Sequence, residues 1–259
     1  MYPTLFEIRG FALSSFGVMM AVAFLIGGWM AARSFEREGL SADSAWRLVT
    51  WAMIGGVLGS KLWYVVEAAS RDPSARELLF AVGGPLLSRG GITWYGGLVG
   101  GALCVLLIAW RSKVPLITAM NAAAPSLAIG QALGRVGCFL VGDDYGRVTD
   151  AWVGIAFPNG LPPTIDPVHP TMLYEAAWLT LGGVLLWSRR GRSPFLFGEY
   201  LMLAGAGRLW IEAFRTNPTL FGPLTNAQVM AIACIALGAI GWLRGAVARR
   251  APATIENPG

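Results

Sequence analysis

The chain has 259 residues, 55% of them hydrophobic and only 14% charged, with a formal net charge of +5 at pH 7. Apolar content this high, gathered in runs of spanning length, excludes an ordinary soluble domain. The basic residues sit in short gaps between those runs and not on one folded surface, which excludes nucleic-acid binding as the meaning of the positive charge.

The predicted elements follow from the apolar runs in chain order. The lead MYPTLFEIRG has Pro3 and Glu7 before Arg9, so it lacks the basic start of a cleaved signal peptide and is expected to be retained. Spans are predicted at about residues 11–32, 46–66, 95–110, 117–141, 171–187, 198–215 and 227–243. The fold class is therefore an all-α polytopic membrane protein of seven transmembrane helices, a single integral membrane domain over residues 1–259. Between the second and third spans, residues 67–94 hold a polar run and then a semi-apolar FAVGGPLLSRGG, expected as an interfacial or re-entrant arm. Between the fourth and fifth, residues 142–170 are rich in Gly, Pro and Asp. They predict a small extramembrane head on the outer face, with a short strand in AWVGIAF at 151–157. The tail from Ala251 is expected to be disordered.

Alternation of Arg and Lys between the gaps sets the predicted orientation. Arg33 and Arg37, Arg111 and Lys113, Arg189, Arg190 and Arg192, and Arg244, Arg249 and Arg250 follow the odd-numbered spans. These gaps read as cytoplasmic, which puts the N-terminus outside and the C-terminus inside. Trp29, Trp46, Trp110, Trp187 and Trp242 fall at the same predicted boundary, where indole rings prefer to sit. Cys104, Cys138 and Cys234 lie in apolar stretches with neither a disulfide framework nor a metal spacing. They are read as buried, inert thiols, and no metal or cofactor is expected.

Polar residues inside the spans point to function, because a charge in hydrocarbon needs a partner or a cavity. The stretch GQALGRVGCFLVGDDYGR at 130–147 places Arg135 between glycines, about 9 Å before the end of the fourth span at 1.5 Å per residue. Lys61, Tyr95, Tyr174, Glu175, Arg208, Glu212 and Arg215 fall in the same outer half. One-sided placement suits chemistry on an outer-leaflet lipid better than conduction through the full thickness. Arg208, Glu212 and Arg215 have helical spacing and are expected to share a face, with two guanidiniums to one carboxylate leaving positive charge for an anion. Lys61 either binds lipid or snorkels to the surface. The spacings Gly55/Gly59, Gly96/Gly100, Gly97/Gly101 and Gly130/Gly134 read as helix packing.

Four segments in this order, GGITWYGGLVGG (90–101), APSLAIGQALGRVGCFLVGDDYGR (124–147), HPTMLYE (169–175) and GRLWIEAFRTNP (207–218), resemble the prolipoprotein diacylglyceryl transferases, as does GVLGSKLWYV (56–65). The resemblance implies an enzyme of the bacterial cytoplasmic membrane that moves diacylglyceryl from phosphatidylglycerol to the lipobox cysteine of a prolipoprotein signal peptide, forming a thioether and releasing glycerol phosphate. It implies membrane lipids as surroundings and no cofactor. Carried over, it makes Arg135 and Arg208 the phosphate-binding arginines, and Glu212, Arg215, Gly142, Asp143, Gly146, Arg147, Tyr174 and Glu175 members of the motifs. Lys61 and His169 are included among the substrate-binding residues. His169, the only histidine, stands before Pro170 at a helix start and reads more readily as a loop anchor.

The chain departs from the family pattern at several of these places. Tyr95 stands where a histidine is usual, Cys138 where an asparagine, Asp143 where a glutamate, Lys61 where an arginine and Phe16 where a tyrosine is usual. The proton acceptor is the step these changes touch, since a phenol is a poor acceptor from a thiol. Either Tyr95 only orients substrate, or Asp143 or Asp144 takes the proton, or the few per cent of thiolate near pH 7 suffices. The missing histidine also motivates a second expectation, a non-catalytic lipid- or anion-binding protein or transporter on the same scaffold.

Overall fold

The computed structural model describes residues 3–8, 11–72, 84, 86 and 93–250. Seven helices lie among them: α1 (Ser15–Arg37), α2 (Ala42–Arg71), α3 (Trp94–Arg111), α4 (Leu116–Val141), α5 (Thr171–Ser188), α6 (Leu196–Glu212) and α7 (Asn226–Arg250). Three two-stranded antiparallel ribbons accompany them: β1 (Thr4–Ile8) with β2 (Phe11–Ser14), β3 (Ile155–Phe157) with β4 (Thr164–Val168), and β5 (Thr219–Phe221) with β6 (Leu224–Thr225). Each expected span is thus a helix, but α1, α2, α3, α4 and α7 alone are long and apolar enough to cross a membrane by length and composition. Helix α6 falls short at 17 residues, and α5 carries Tyr174 and Glu175 in its first turns.

The boundaries move for local reasons. Residues 11–14, expected in the first span, pair with β1, so the helix begins at Ser15. Helix α2 starts early because Ser41 caps it, its hydroxyl accepting the Ser44 amide at 3.2 Å. Gly39, at φ +73°, reverses the chain just after α1. The sixth helix ends at Glu212 and not at 215, so Arg215 leaves the helix face it was expected to share with Arg208. The strand expected at 151–157 is confined to Ile155–Phe157. The arm expected within 67–94 and the tail from 251 lie largely or wholly outside the described residues.

The chain divides into two compact units, residues 35–119 and residues 1–34 with 120–259. In the first, α2 and α3 pack at glycines: a Cβ on Gly59 would collide with the Gly96 carbonyl oxygen, one on Gly96 with that of Gly59, and one on Gly100 with that of Gly55. Backbones this close leave no room for side chains, as the small-residue spacing predicts. Leu58, Leu62 and Leu103 point outward, the pattern of lipid-facing surface.

In the second unit, α6 packs on α5 and α7. A Cβ on Gly198 would meet the Gly238 carbonyl oxygen at 2.6 Å. Glu199 in the first turn of α6 ties this end together: Arg189 donates to it twice, at 2.6 and 2.8 Å, Ser193 at 2.7 Å and the Trp242 indole at 3.1 Å. At the end where α4 closes, residues 142–170 fold over a small core of Phe157, Val168 and Met172, joined by Phe139 and Tyr145. The segment from which a head was expected is thus a compact loop region closing over the end of α4. The cysteines are free, and all three are half-buried where full burial was expected.

The glycine seam yields the first test. Gly96→Val should destabilise the protein by about 1–3 kcal/mol or more, through overpacking against backbone that has nowhere to move. A melting temperature in detergent equal to that of the wild type would contradict the seam.

Candidate functional site

All of the expected polar residues of the second unit except Arg147 converge at the head end of the helices. Arg135 lies two turns before the end of α4 and is only 24% exposed as a side chain. Helix α4 stops at Val141, where Gly142 takes φ +78° and its amide returns to the Cys138 carbonyl at 2.8 Å. Asp144 follows at φ +63°, a conformation that aspartate tolerates better than most residues. The reversal turns Asp144 back on the helix it has just left. Its Oδ2 then accepts a hydrogen bond from Arg135 Nη1 at 2.5 Å.

Asp144 is held from three sides. Arg215 donates to its Oδ1 and to its backbone oxygen, both at 2.7 Å, and the Thr171 hydroxyl donates to the same backbone oxygen at 2.8 Å. Burial alone would raise the Asp144 pKa, but Arg135 and Arg215 outweigh it and hold the carboxyl at about 2. Asp143 behaves oppositely: burial pushes it above the usual carboxylate range, with the neighbouring Asp144 charge adding to the rise. Its Oδ1 is buried without a hydrogen-bond partner, while the carboxylate also faces the Cys138 thiol.

Glu175, in the first turns of α5, joins the two arginines. Its Oε2 lies 3.0 Å from Arg135 Nε and 3.9 Å from Arg208 Nη1. Glu212 lies 3.0 Å from Arg208 Nη2, as their spacing on α6 predicts. That contact is a charge pair whose angle is not that of a hydrogen bond, and Glu212 Oε2, Arg208 Nη1 and Arg215 Nε remain buried without hydrogen-bond partners. The other Glu212 oxygen accepts from the Thr225 hydroxyl at 2.6 Å and the Asn217 amide at 2.8 Å.

The expected positive excess is overturned here. The sequence spacing sets two arginines against one carboxylate, but the fold brings three guanidiniums against four carboxylates, Asp143, Asp144, Glu175 and Glu212. Every guanidinium of the cluster has an acidic neighbour. The donor capacity that remains is at Arg208 Nη1 and Arg215 Nε, of which Arg208 Nη1 lies on the side of Glu175.

The surrounding motif residues shape the loop. The Gly146 amide donates to the His169 carbonyl and the Arg147 amide to the Phe214 carbonyl, each at 2.8 Å. A Cβ on Gly146 would strike that Phe214 oxygen, so only glycine fits. The His169 ring lies 3.2 Å from the Tyr174 hydroxyl and packs on Phe214. The Arg147 side chain is exposed. In the other unit, Lys61 Nζ lies 5.4 Å from the Tyr64 ring centroid, and Tyr95, 40% exposed, meets Trp94 edge-on. Sequence reasoning missed Thr171, Asn217 and Thr225. The signal for Thr225 was present, since TNAQ at 225–228 is a capping box: its hydroxyl accepts the Gln228 amide and the Gln228 side chain accepts the Thr225 amide.

Long apolar helices with a half-buried arginine–carboxylate cluster at one end have the architecture of a polytopic membrane protein. The model of the prolipoprotein diacylglyceryl transferase family matches residues 3–244. Relatives called phosphatidylglycerol--prolipoprotein diacylglyceryl transferase include one from Synechococcus elongatus, 32% identical over 94% of this chain and 88% of its own length. One from Nostoc is 33% identical over 93% and 89%, and one from Clostridium tetani is 30% identical over 92% and 95%. The chain belongs to the prolipoprotein diacylglyceryl transferase family.

The Asp144 clasp has a definite pH signature. A lowered pKa contributes stability that is present above the unfolded value of about 3.9 and is lost as the pH falls through the folded value. The difference in melting temperature between wild type and Asp144→Asn should therefore be constant from pH 5 to 8 and shrink as the pH drops from about 4 towards 2. A difference that changes between pH 5 and 8 would show that another group controls the clasp.

Proposed function

We propose that Arg135 and Arg208 together hold the phosphate of phosphatidylglycerol while the lipobox thiol of a prolipoprotein displaces it. The observation that carries this is the shared Glu175: two guanidiniums from α4 and α6 are close enough to bracket one anion, and Arg208 Nη1 has no hydrogen-bond partner. The carbon–oxygen bond between the diacylglyceryl group and the phosphate breaks, and its electron pair stays on oxygen. A carbon–sulfur bond forms, giving the thioether, and glycerol phosphate leaves. Preorganised cations lower the barrier because negative charge grows on the leaving phosphate, and they need no reorientation when it does.

The thiol proton goes to Asp143. Its pKa, raised chiefly by burial, makes it a better acceptor than Asp144, which two arginines keep ionised and occupied. Glu212 and Arg215 position the cluster, one by holding Arg208 and the other by holding Asp144. Gly142, Gly146 and Arg147 shape the loop that carries both aspartates, and Tyr174 with His169 braces the start of α5. Lys61 contacts lipid headgroup, and Tyr95 orients substrate. The head faces the outside of the bacterial cytoplasmic membrane, with the N-terminus outside and the C-terminus in the cytoplasm, so the lipobox peptide is met on that side.

Arg135→Ala and Arg208→Ala should each lower the rate by about a hundredfold to a thousandfold, the scale of losing one preorganised donor, in protein that still inserts. The measurement is mass-detected thioether formed from phosphatidylglycerol and a lipobox peptide. Retained rate in either variant removes that residue from the mechanism, and a wild type that binds the lipid but makes no thioether is a binder and not a transferase. Tyr95→Phe should keep a near-normal rate in the same assay, whereas a drop beyond about tenfold would put its hydroxyl into proton transfer.

A further inference from the structure

Of the four carboxylates in the cluster, the three that form ion pairs with the arginines are not equally held. Glu212 is almost fully enclosed and accepts from Thr225 and Asn217 besides facing Arg208. Asp144 is fixed by two Arg215 bonds, one from Thr171 to its backbone, and the bond from Arg135. Glu175 has the two arginines and no other partner among the described residues, one at 3.0 Å and one at the long distance of 3.9 Å. It sits at the point between Arg135 and Arg208 where a bracketed phosphate would have to lie. A phosphate and this carboxylate cannot both stand there, since two anions so close repel strongly in a water-poor site.

Resting on the reading of Arg135 and Arg208 as phosphate ligands, we infer that Glu175 is a resident competitor that the lipid phosphate must displace and that returns to expel the product. The exchange is between one anion and another, so the guanidiniums are never left bare. A tetrahedral phosphate can use the Arg208 Nη1 donor that the planar carboxylate leaves unbonded. After transfer, the product monoester carries up to two negative charges, against one on the lipid diester, and would bind the arginines more tightly than substrate did. Glu175, tethered by the α5 backbone within reach, competes for them at high effective concentration. Slow product release is thereby avoided at the expense of lipid affinity. Glu175 is a positioning residue in this role, acting through the arginines.

The charged groups facing it are Arg135 from α4 and Arg208 from α6, which pair in turn with Asp144 from the loop and Glu212 from α6. The test uses full-length wild type, E175Q and E175D in nanodiscs. Phosphatidylglycerol affinity is read by displacement of a labelled analogue, and inhibition by glycerol phosphate and turnover are read by thioether mass. E175Q should bind the lipid about tenfold more tightly, be inhibited by glycerol phosphate at about tenfold lower concentration or less, and have a reduced kcat together with a reduced KM. E175D, which keeps the charge, should stay within about threefold of wild type in lipid affinity. A carboxylate that merely braces the arginines predicts the opposite sign, and unchanged or weaker lipid binding by E175Q overturns the inference. Should E175Q not fold, E175A is read in the same way: it should bind the lipid more tightly than wild type, and unchanged or weaker binding counts against displacement. Absence of thioether from the wild type would instead remove the underlying reading.

Discussion

The arrangement depends on the pairing of Arg135 with carboxylates that come from outside its own helix. A guanidinium two turns inside an apolar helix costs about 2.5–3.5 kcal/mol on insertion scales unless it is met by charge. It is met by Asp144, from the loop immediately after the helix, and by Glu175, from the next helix in the chain. Because breaking a buried pair leaves an uncompensated charge, the helix, the loop and the start of α5 are constrained to one geometry. The left-handed turn at Gly142 and Asp144 is the backbone consequence.

A second layer keeps the first from collapsing into tight, mutually satisfied pairs. Thr225 serves twice, capping α7 and donating to Glu212, so the position of Glu212 is coupled to the start of the last helix. Arg215, released from α6 by the helix ending at Glu212, reaches Asp144 and not an open face. Gly146 lets the loop lie against Phe214 and His169, which ties the head to the chain after α6. At the opposite end, Glu199 gathers Arg189, Ser193 and Trp242 and fixes the α5–α6–α7 packing. Arginines held in place but not wholly satisfied are what an anion-receiving site requires: positioned beforehand, with donor capacity still open.

Legibility in the sequence differed by the range of the interaction. The places of the described helices were readable because an apolar run is a local property, although two of the seven expected spans prove too short or too polar to cross by composition, and Gly55, Gly59, Gly96 and Gly100 announced close packing by spacing alone. The Arg208–Glu212 pair was readable for the same reason, four residues apart on one helix. Arg215 was misplaced because nothing local marks the end of α6 at Glu212, and residues 11–14 were given to a helix because an apolar run does not by itself distinguish strand from span. The charge balance was misjudged most. Counting within α6 gave an excess of cations, whereas Asp144 and Glu175 enter from other segments.

From the residues alone, this chain had to be a set of apolar helices with the arginines that lie inside them towards one end, because hydrophobic run length and local charge pattern depend only on neighbours along the chain. Motif order sufficed for the family. Which carboxylate answers which guanidinium, which arginine takes which oxygen of Asp144, why burial raises the Asp143 pKa, and why Glu175 is the loosest of the counter-ions were decided by tertiary structure. Those are contacts between residues nine to seventy-one positions apart, and electrostatic balance is set by distance in space, not by separation in sequence.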